Sequence, residues 1–180
     1  MKSMVTSLPG VLLLEPLVFA DDRGFFLESY NEKLFSGLGI SERFVQDNHS
    51  FSKQNVVRGL HYQAAHPQGK LVRAVSGEIF DVAVDLRRSS ATFGRWHGEL
   101  LSEENKRMLW IPAGLAHGFS VLSQSAQVLY KATDFYHPES ERTILWNDAQ
   151  LAIDWRFKHD AIVSAKDQLG VSFRNAETFK

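Results

Sequence analysis

The side chains best suited to chemistry gather in a few short polar segments of this 180-residue sequence. They lie where a β-rich domain should have apolar or turn residues, and they read QDNHS (46–50), RGLHYQ (58–63), QGKLVR (68–73) and IPAGLAHGF (111–119), followed by the pairs Tyr130-Lys131 and Lys166-Asp167. Histidine, tyrosine, lysine and carboxylates are the usual groups of acid–base catalysis, and lysine and arginine bind anions. These segments are therefore the candidate site.

The spacing within two of these segments resembles the pair of motifs that bind metal in cupins, with the ligands changed. A metal-binding cupin has H-x-H followed by a glutamate, and later P-x-G-x-x-H. Here His61 holds the first histidine position, Gln63 replaces the second, and Lys70 stands near the position of the glutamate. The second motif is kept at Pro112, Gly114 and His117. A charged amine repels a divalent cation, and two histidines without a carboxylate hold one weakly, so the sequence predicts a site without metal.

The elements that must position these groups are strands, because the dominant hydrophobic period is two. In GEIFDVAVDLR (77–87), alternate residues from Phe80 to Leu86 share one face, and those from Ile79 to Asp85 share the other. QVLYKATDFY (127–136) alternates in the same way, and further strands are predicted at Lys70–Val75, Trp96–Leu101, Lys106–Ile111 and Phe119–Leu122. Many short strands with little helix predict an all-β fold, a cupin-type double-stranded β-helix or jelly roll, as one domain over residues 1–180.

The N-terminal part adds one strand and one helix to this prediction. Val11–Ala20 is predicted to form the first strand, and its apolar run Val11–Phe19 an edge strand that needs a partner. Asn31 is predicted to cap a short helix that ends at Gly39. Short turns are predicted near residues 147–152 and 164–169.

Composition excludes several classes of protein. The sequence has no cysteine, which removes disulfides, thiolate nucleophiles and cysteine-ligated metals. The net charge of −1 gives no overall attraction to nucleic acid. Glu15 and Pro16 interrupt the only apolar run that resembles a signal peptide, and no run is long enough to span a membrane. We therefore expect a cytoplasmic protein that binds neither nucleic acid nor membrane.

Taken together, the motifs resemble the dTDP-4-dehydrorhamnose 3,5-epimerases, a family of cupin-fold enzymes of deoxysugar biosynthesis. The resemblance covers nearly the whole length, and the segments that carry it are DDRGFFLESY, FVQDNHSFS, VVRGLHYQ, the long run from QGKLVRAV to AHGFSVLS, YKATDFYHPESERTILWNDAQLAIDW and SAKD. It implies an isomerase without a cofactor, which acts as a homodimer on a dTDP-sugar and inverts C3 and C5 beside the C4 ketone. The departures from the family pattern, at Asn55, Leu115, Ala149 and Arg156, bear on the stiffness of loops and on packing around the site, and they leave the implied chemistry intact.

The resemblance also implies the catalytic roles. His61 matches the base and Asp167 the carboxylate that pairs with it, which would fix the tautomer of the ring and stabilise the imidazolium. Lys70 matches the group beside the C4 oxygen, where an ammonium stabilises an enolate. Tyr130 matches the acid that returns the proton on the opposite face, and His117 matches a further substrate-binding position.

The nucleotide end of the substrate follows in the same way. Cations suit a diphosphate, and the family positions with that role are Arg23, Arg58 and Lys166. The family positions that recognise the nucleotide, some of which come from the partner subunit of the dimer, match Glu28, Gln46, Asp47 and Asn48. Tyr136 matches an aromatic that stacks near the thymine, and Glu141 matches a further binding position.

Other interpretations remain open from the residues alone. An enzyme that inverts only one carbon would use the same groups. A metal-dependent cupin is disfavoured by Gln63 and Lys70, and a sugar-binding cupin without activity would be expected to lack the base or the acid. We interpret Asp81 and Asp85 as structural, and no role is assigned to His49, His66, His97, His137 and His159.

Overall fold

The computed structural model describes residues 1–157 and 159–180. Over these ranges the chain forms two short α-helices, α1 (Glu32–Gly37) and α2 (Ala165–Gln168). In the same ranges it forms fourteen strands: β1 (Lys2–Val5), β2 (Leu12–Glu15), β3 (Val18–Asp21), β4 (Gly24–Leu27), β5 (Gln46–Lys53), β6 (Val56–Gln63), β7 (Lys70–Ser76), β8 (Glu78–Asp85), β9 (Trp96–Ser102), β10 (Met108–Ile111), β11 (Leu115–Val121), β12 (Ser125–Ala132), β13 (Glu141–Thr143) and β14 (Ile162–Val163).

Most of these strands build two sheets whose inner faces share one core. The first sheet has the order β1-β2-β10-β7-β12-β5, and the second has the order β13-β6-β11-β8-β9, with β14 parallel to β6. The core between the sheets takes side chains from both, such as Val72 and Val128 from the first and Ile79 and Phe119 from the second. Neighbours far apart in sequence, such as β2 beside β10, are typical of a jelly roll. The predicted all-β cupin-type fold is confirmed.

Strand β8 shows why its period-two pattern is apolar on both faces apart from Asp81 and Asp85. Ile79 and Ala83 point into the core between the sheets. Phe80, Val82 and Val84 point to the outer face, where they pack with Trp155 and other residues of the C-terminal segment. Because the C-terminal segment covers that outer face, the strand is buried on both sides. The predicted division of side chains between the two faces is confirmed.

The prediction for Val11–Ala20 is wrong in two respects. The first strand is β1, and the run is divided into β2 and β3 around Pro16, which has no N–H to donate to a sheet. The β2 part of the run is not an edge strand, because β2 lies between β1 and β10 inside the first sheet, whereas β3 pairs on one side only, with β4. Strand β3 pairs with β4 in a separate hairpin, from which the side chains of Phe19, Phe25 and Phe26 project into solvent.

The remaining predicted elements are found with shifted ends, and six strands were missed: β1, β4, β5, β6, β13 and β14. The strand predicted from Phe119 begins at Leu115, the one predicted at Lys106–Ile111 begins at Met108, and the one predicted to reach Tyr136 ends at Ala132. Strands β5 and β6 carry many polar side chains and were not predicted. The helix cap is confirmed, since Asn31 Oδ1 accepts from the N–H of Leu34 at 3.1 Å. Asn55, where the family usually has glycine, adopts a φ of 62° that asparagine tolerates.

Candidate active site

One end of the space between the two sheets is polar and open. Strands β6 and β11 of the second sheet contribute His61 and His117, which face each other in register. Strands β7 and β12 of the first sheet contribute Lys70 and Tyr130 from the opposite side. The complete lining is Ser50, Arg58, His61, Tyr62, Gln63, Gln68, Lys70, His117, Phe119, Tyr130, Tyr136 and Glu141. The four side chains that sequence analysis singled out on these strands therefore meet in one pocket.

His61 is paired with the carboxylate predicted for it. Its Nε2 lies 2.6 Å from Oδ1 of Asp167, although the two residues are 106 positions apart. Asp167 is the third residue of α2, and its own N–H is capped by Ser164 Oγ at 3.1 Å. The N–H of Gly59 donates to the other carboxylate oxygen at 3.3 Å. These contacts orient the carboxylate toward the imidazole.

The charge of Asp167 is stabilised in spite of its burial. Burial by itself raises the pKa of this carboxyl, but the hydrogen bond and positive charge of His61 and the Gly59 N–H outweigh it. The pKa of Asp167 is therefore held below its usual value. An ionised carboxylate on one ring nitrogen fixes which nitrogen carries the proton and stabilises the imidazolium.

Lys70 supplies a cation in a place where water is scarce. Its residue is only 8% exposed, and Nζ donates to the carbonyl oxygen of His61 at 3.5 Å. Burial lowers the pKa of the ammonium to about 8, against the opposing attraction of Glu141 and Asp81. A cation with one weak hydrogen bond to the protein has donors left for a substrate oxygen.

A second histidine–carboxylate pair stands beside the first. Nε2 of His117 lies 2.7 Å from Oδ1 of Asp81, a residue of β8 with no exposed surface. Oδ2 of Asp81 is buried and has no hydrogen-bond partner within the described residues. Asp81, which the sequence led us to interpret as structural, orients a pocket histidine and helps to keep Lys70 charged. The alternation of β8 indicates that Asp81 points inward, because it shares the face of Ile79 and Ala83 that lies between the sheets. Asp85, by contrast, is bonded to Arg87 and Thr92 and keeps its structural interpretation.

Tyr130 faces the pocket as a protonated phenol. Burial raises its pKa, and the negative charge of Glu141 adds to this effect while Arg58 opposes it. The neutral phenol is therefore the form present at neutral pH, and it is the form that can donate a proton. A purely structural role for Tyr130, as a core tyrosine bonded to a backbone carbonyl, fits less well, because Tyr130 lines two adjoining cavities.

Glu141 links three of the predicted binding residues at the mouth of the pocket. Its Oε2 accepts from the hydroxyl of Tyr136 at 2.6 Å and lies 2.5 Å from Nζ of Lys166. Burial raises the pKa of the Glu141 carboxyl, but the hydrogen bonds from Lys166 and Tyr136 outweigh burial, so the pKa lies below its usual value. Gln46 extends the cluster, since its Oε1 accepts from the Tyr136 N–H at 2.9 Å.

The other predicted binding residues of the strands lie around the same mouth. Arg58 lines the pocket and donates through Nε to Ser52 Oγ at 2.9 Å, so its guanidinium has a fixed direction. Asn48 accepts from Gln46 at 3.0 Å. Asp47 and Asn48 line an adjoining cleft that shares Tyr130 with the pocket, and Asp47 pairs with Lys131 at 2.9 Å.

Two predicted residues do not join the pocket of their own chain. Arg23 lies at the turn of the β3–β4 hairpin, where its side chain is 90% exposed and paired with Asp21. Glu28 follows β4, is exposed, and accepts from Asn31 at 3.1 Å. Neither residue lines the pocket that holds His61.

The arrangement suits the movement of protons on a bound molecule. A base and an acid that face one cavity from opposite sheets can remove a proton from one side of a carbon and return it to the other, while a cation holds the charge that develops between the two steps. The fold and the pocket thus define an isomerase built on a cupin jelly roll.

Comparison with known proteins specifies the class further. The sequence model described as dTDP-4-dehydrorhamnose 3,5-epimerase matches residues 5–175, so the chain belongs to this family. The dTDP-4-dehydrorhamnose 3,5-epimerase of Pseudomonas aeruginosa is 58% identical over 180 residues, which covers 99% of each chain.

Solved structures agree with this assignment. The dTDP-6-deoxy-D-glucose-3,5-epimerase RmlC of Legionella pneumophila, solved in complex with dTDP-4-keto-L-rhamnose, is 50% identical and superposes with a TM-score of 0.95, covering 97% of this chain and 93% of that one. ChmJ of Streptomyces bikiniensis, a 3'-monoepimerase solved with dTDP-quinovose, is 29% identical with a TM-score of 0.89, covering 96% and 88%.

Proposed function

We propose that this protein converts dTDP-4-dehydro-6-deoxy-D-glucose into dTDP-4-dehydro-L-rhamnose by inverting C3 and C5. The observation that carries the proposal is the 2.6 Å contact between His61 and Asp167 in a pocket that Lys70 and Tyr130 enter from the opposite sheet. The relatives in the family bear the name of this reaction. The cytoplasmic location expected from the sequence belongs to the same proposal.

Each step of the reaction has a group suited to it. A proton on the carbon beside a ketone becomes acidic only if the enolate oxygen is stabilised, and the Lys70 ammonium provides that stabilisation. His61 removes the proton, and Asp167 stabilises the imidazolium that results. Tyr130 returns a proton from the other face, which inverts the carbon. His117, oriented by Asp81, binds the sugar beside them.

The mouth of the pocket fits the nucleotide. Arg58 and Lys166 are cations on its rim and suit the two phosphates. Tyr136 is half exposed and offers a ring on which the thymine can stack. Gln46, Asp47, Asn48 and Glu141 supply the surrounding polar groups.

We further propose that the protein works as a homodimer in which the β3–β4 hairpin reaches the partner's pocket. The hairpin exposes 58% of Phe19, 59% of Phe25 and 70% of Phe26, which is unusual for side chains of this size on one small element. It also carries Arg23 at its tip, and Glu28 follows it. Burial of Phe19 and Phe26, which share one face of the hairpin, against a second copy would bring both polar residues toward the pocket of that copy. This arrangement explains why they do not join the pocket of their own chain.

The function is tested by incubating the enzyme with dTDP-4-dehydro-6-deoxy-D-glucose in deuterated water and locating the label by NMR. The native enzyme should introduce deuterium at C3 and C5 and form the L-sugar. Without the base no enolate forms, so His61→Asn should abolish label and product together. The loss should reach at least about 10²–10⁴-fold, the usual contribution of a general base.

Tyr130→Phe provides the matched comparison, because it alters return of the proton and not its removal. His61 can take a proton and give back a deuteron on the same face, so label should still enter with retained configuration while inversion falls steeply. Asp167→Asn should slow exchange without stopping it. Equal loss of exchange and inversion in Tyr130→Phe would move Tyr130 from acid to a binding role.

One alternative is favoured by a specific relative. The similarity to ChmJ, a 3'-monoepimerase, shows that this fold also serves inversion of a single carbon. The labelling experiment separates the two functions, since a monoepimerase introduces deuterium at one carbon only.

A further inference from the structure

Two histidines without an assigned role meet an aspartate just outside the pocket. The rings of His66 and His137 stack with their centroids 4.1 Å apart and their planes at 17°. Nδ1 of His66 lies 3.7 Å from Oδ2 of Asp134. One nitrogen or oxygen atom of each of the three side chains lies within 4.8 Å of the others. This set is called the rim triad below.

The side-chain amides of Gln63 and Gln68 form hydrogen bonds that hold the backbone of the rim triad in place. Nε2 of Gln63, a residue only 4% exposed, donates to the carbonyl oxygen of His66 at 2.7 Å, and its Oε1 accepts from the N–H of His137 at 2.8 Å. Gln68 donates to the carbonyl oxygen of Asp134 at 2.8 Å. His66 and His137 are thus tied to the last residue of β6 and Asp134 to the loop that follows it, so a ligand bound by their side chains would not have to order the chain first.

We propose that the rim triad binds one divalent transition cation, with Zn²⁺ as the best match. Two imidazoles and one carboxylate, with a water molecule in the fourth position, form a standard zinc coordination set. Coordination at about 2.0–2.2 Å requires the ligand atoms to approach one another and the stacked rings to turn apart. The side chains are free to do so, because they are 54% (His66), 37% (Asp134) and 32% (His137) exposed.

Glu139 contacts His137 from outside the rim triad and favours the tautomer of His137 that can bind a metal. Oε1 of Glu139 lies 3.3 Å from Nδ1 of His137. When Nδ1 donates its proton to this carboxylate, the lone pair of the ring is on Nε2, which is the arrangement of carboxylate–histidine–zinc sites. The rim triad is separate from the pocket, since none of its members lines it. The cation is therefore no part of the proposed epimerisation.

Calorimetric titration of chelator-treated enzyme with Zn²⁺ tests the proposal, with His66→Ala, His137→Ala and Asp134→Asn as variants. The native protein should bind one equivalent of Zn²⁺. Loss of a residue that only hydrogen-bonds a metal ligand weakens metal binding about 10–100-fold, so loss of a ligand in each variant should weaken it by at least that factor. His49→Gln is the control, because His49 is an exposed residue of β5 that bonds to Gln127 at 2.9 Å and is no member of the rim triad, and it should bind as the native protein does.

Co²⁺ gives a second readout that does not depend on activity. Bound in the rim triad, it should show the intense visible bands of tetrahedral cobalt, and these should be absent in His66→Ala and His137→Ala. Absence of one-equivalent binding in the native protein, or the same affinity in all variants, would overturn the proposal. Neither result would bear on the proposed epimerase function, which is measured by labelling of the sugar.

Discussion

The protonation of a single buried amine, Lys70, should set the upper pH limit of catalysis. Burial lowers the pKa of Lys70 to about 8, so the ammonium loses its proton as pH rises through that value. The enolate would then have no cation beside it, and kcat/KM should fall above about pH 8. The pKa of Tyr130 is raised from its usual value, so the acid stays protonated over the same range. The alkaline limb of the pH profile should therefore belong to Lys70.

Two substitutions check this assignment, with kcat/KM measured as a function of pH. Lys70→Arg keeps a positive charge at all accessible pH values, so the limb near pH 8 should disappear even if the overall rate is lower. Asp81→Asn removes a charge that raises the pKa of Lys70, so the limb should move to lower pH. A limb that stays near pH 8 in both variants would belong to another group.

At the scale of elements, β6 and β11 come into close contact at Gly59 and Gly118, near the two pocket histidines. A Cβ on Gly59 would lie 2.6 Å from Cα of Gly118 and 2.8 Å from the carbonyl oxygen of His117, and Gly59 has a φ of +120°. Gly59→Ala should therefore lower the free energy of unfolding by about 2–4 kcal/mol and displace His61, two residues further along β6. Denaturant unfolding measures the first effect, and the labelling rate measures the second.

Gly37, in α1, is the matched control for that substitution. A Cβ there would meet no atom within 4 Å. Gly37→Ala should change the free energy of unfolding by no more than about 1 kcal/mol, and in the stabilising direction. Equal stability of the two variants would show that the β6–β11 contact tolerates a side chain.

The elements that the sequence predicts correctly are those whose side chains face the apolar core. Strand β8 alternates between two apolar environments, so its residues were assigned to the right faces. Strand β5 turns Gln46, Asn48 and Ser50 inward, but what lies inside is the polar mouth of the pocket, so the hydrophobic period disappears and the strand was missed. The sequence predicted one strand over Val11–Ala20, but Pro16 has no N–H for a sheet hydrogen bond and divides the run into β2 and β3.

The candidate site was predictable to a different extent for different residues. His61, Lys70, Tyr130 and Asp167 were found together because their motifs resemble those of a known family, although no period or spacing predicts that a residue of α2 meets one of β6. The role of Asp81 was missed, because the alternation of β8 places its carboxylate on the inward face but gives no indication of its partner. Its contact with His117 depends on the register of β8 against β11, which only the folded structure defines.

For the molecule as a whole, we expect catalysis to be independent of metal. The cupin ligand positions hold Gln63 and Lys70, and Lys70 repels a cation as long as it is protonated. Activity should survive exhaustive chelation, measured by the labelling assay after treatment with a strong chelator. Loss of activity that is restored by one equivalent of iron, manganese or zinc would contradict this expectation and favour a metal-dependent cupin.

The dimer proposal predicts that two defective proteins can repair each other. Arg23→Ala should impair binding of the diphosphate, and His61→Asn lacks the base. In a mixed dimer, the His61→Asn subunit supplies Arg23 to the partner pocket that still has its histidine, so one complete site forms. After subunit exchange in an equal mixture, activity should rise to about a quarter of the native value, as random pairing in a two-fold dimer requires.

A pair of variants that share the same pocket is the control for that mixture. His61→Asn mixed with Tyr130→Phe restores one complete pocket only if a subunit carrying both native residues is present, and none is, so no gain is expected. If Arg23 acts within its own chain, the first mixture would also remain inactive. A fully active monomer at micromolar concentration, seen by light scattering, would argue against the dimer itself.

The separation of 106 residues along the chain between His61 and Asp167 has a consequence for the synthesis of the protein. During translation His61 leaves the ribosome long before its carboxylate is made, and strands β1 to β13 are complete by Thr143. A nascent chain can thus build most of its jelly roll and still lack an oriented base, until β14 lies beside β6 and α2 follows it. A chain released before residue 167 would therefore lack the carboxylate that pairs with His61, so this contact forms only late in synthesis.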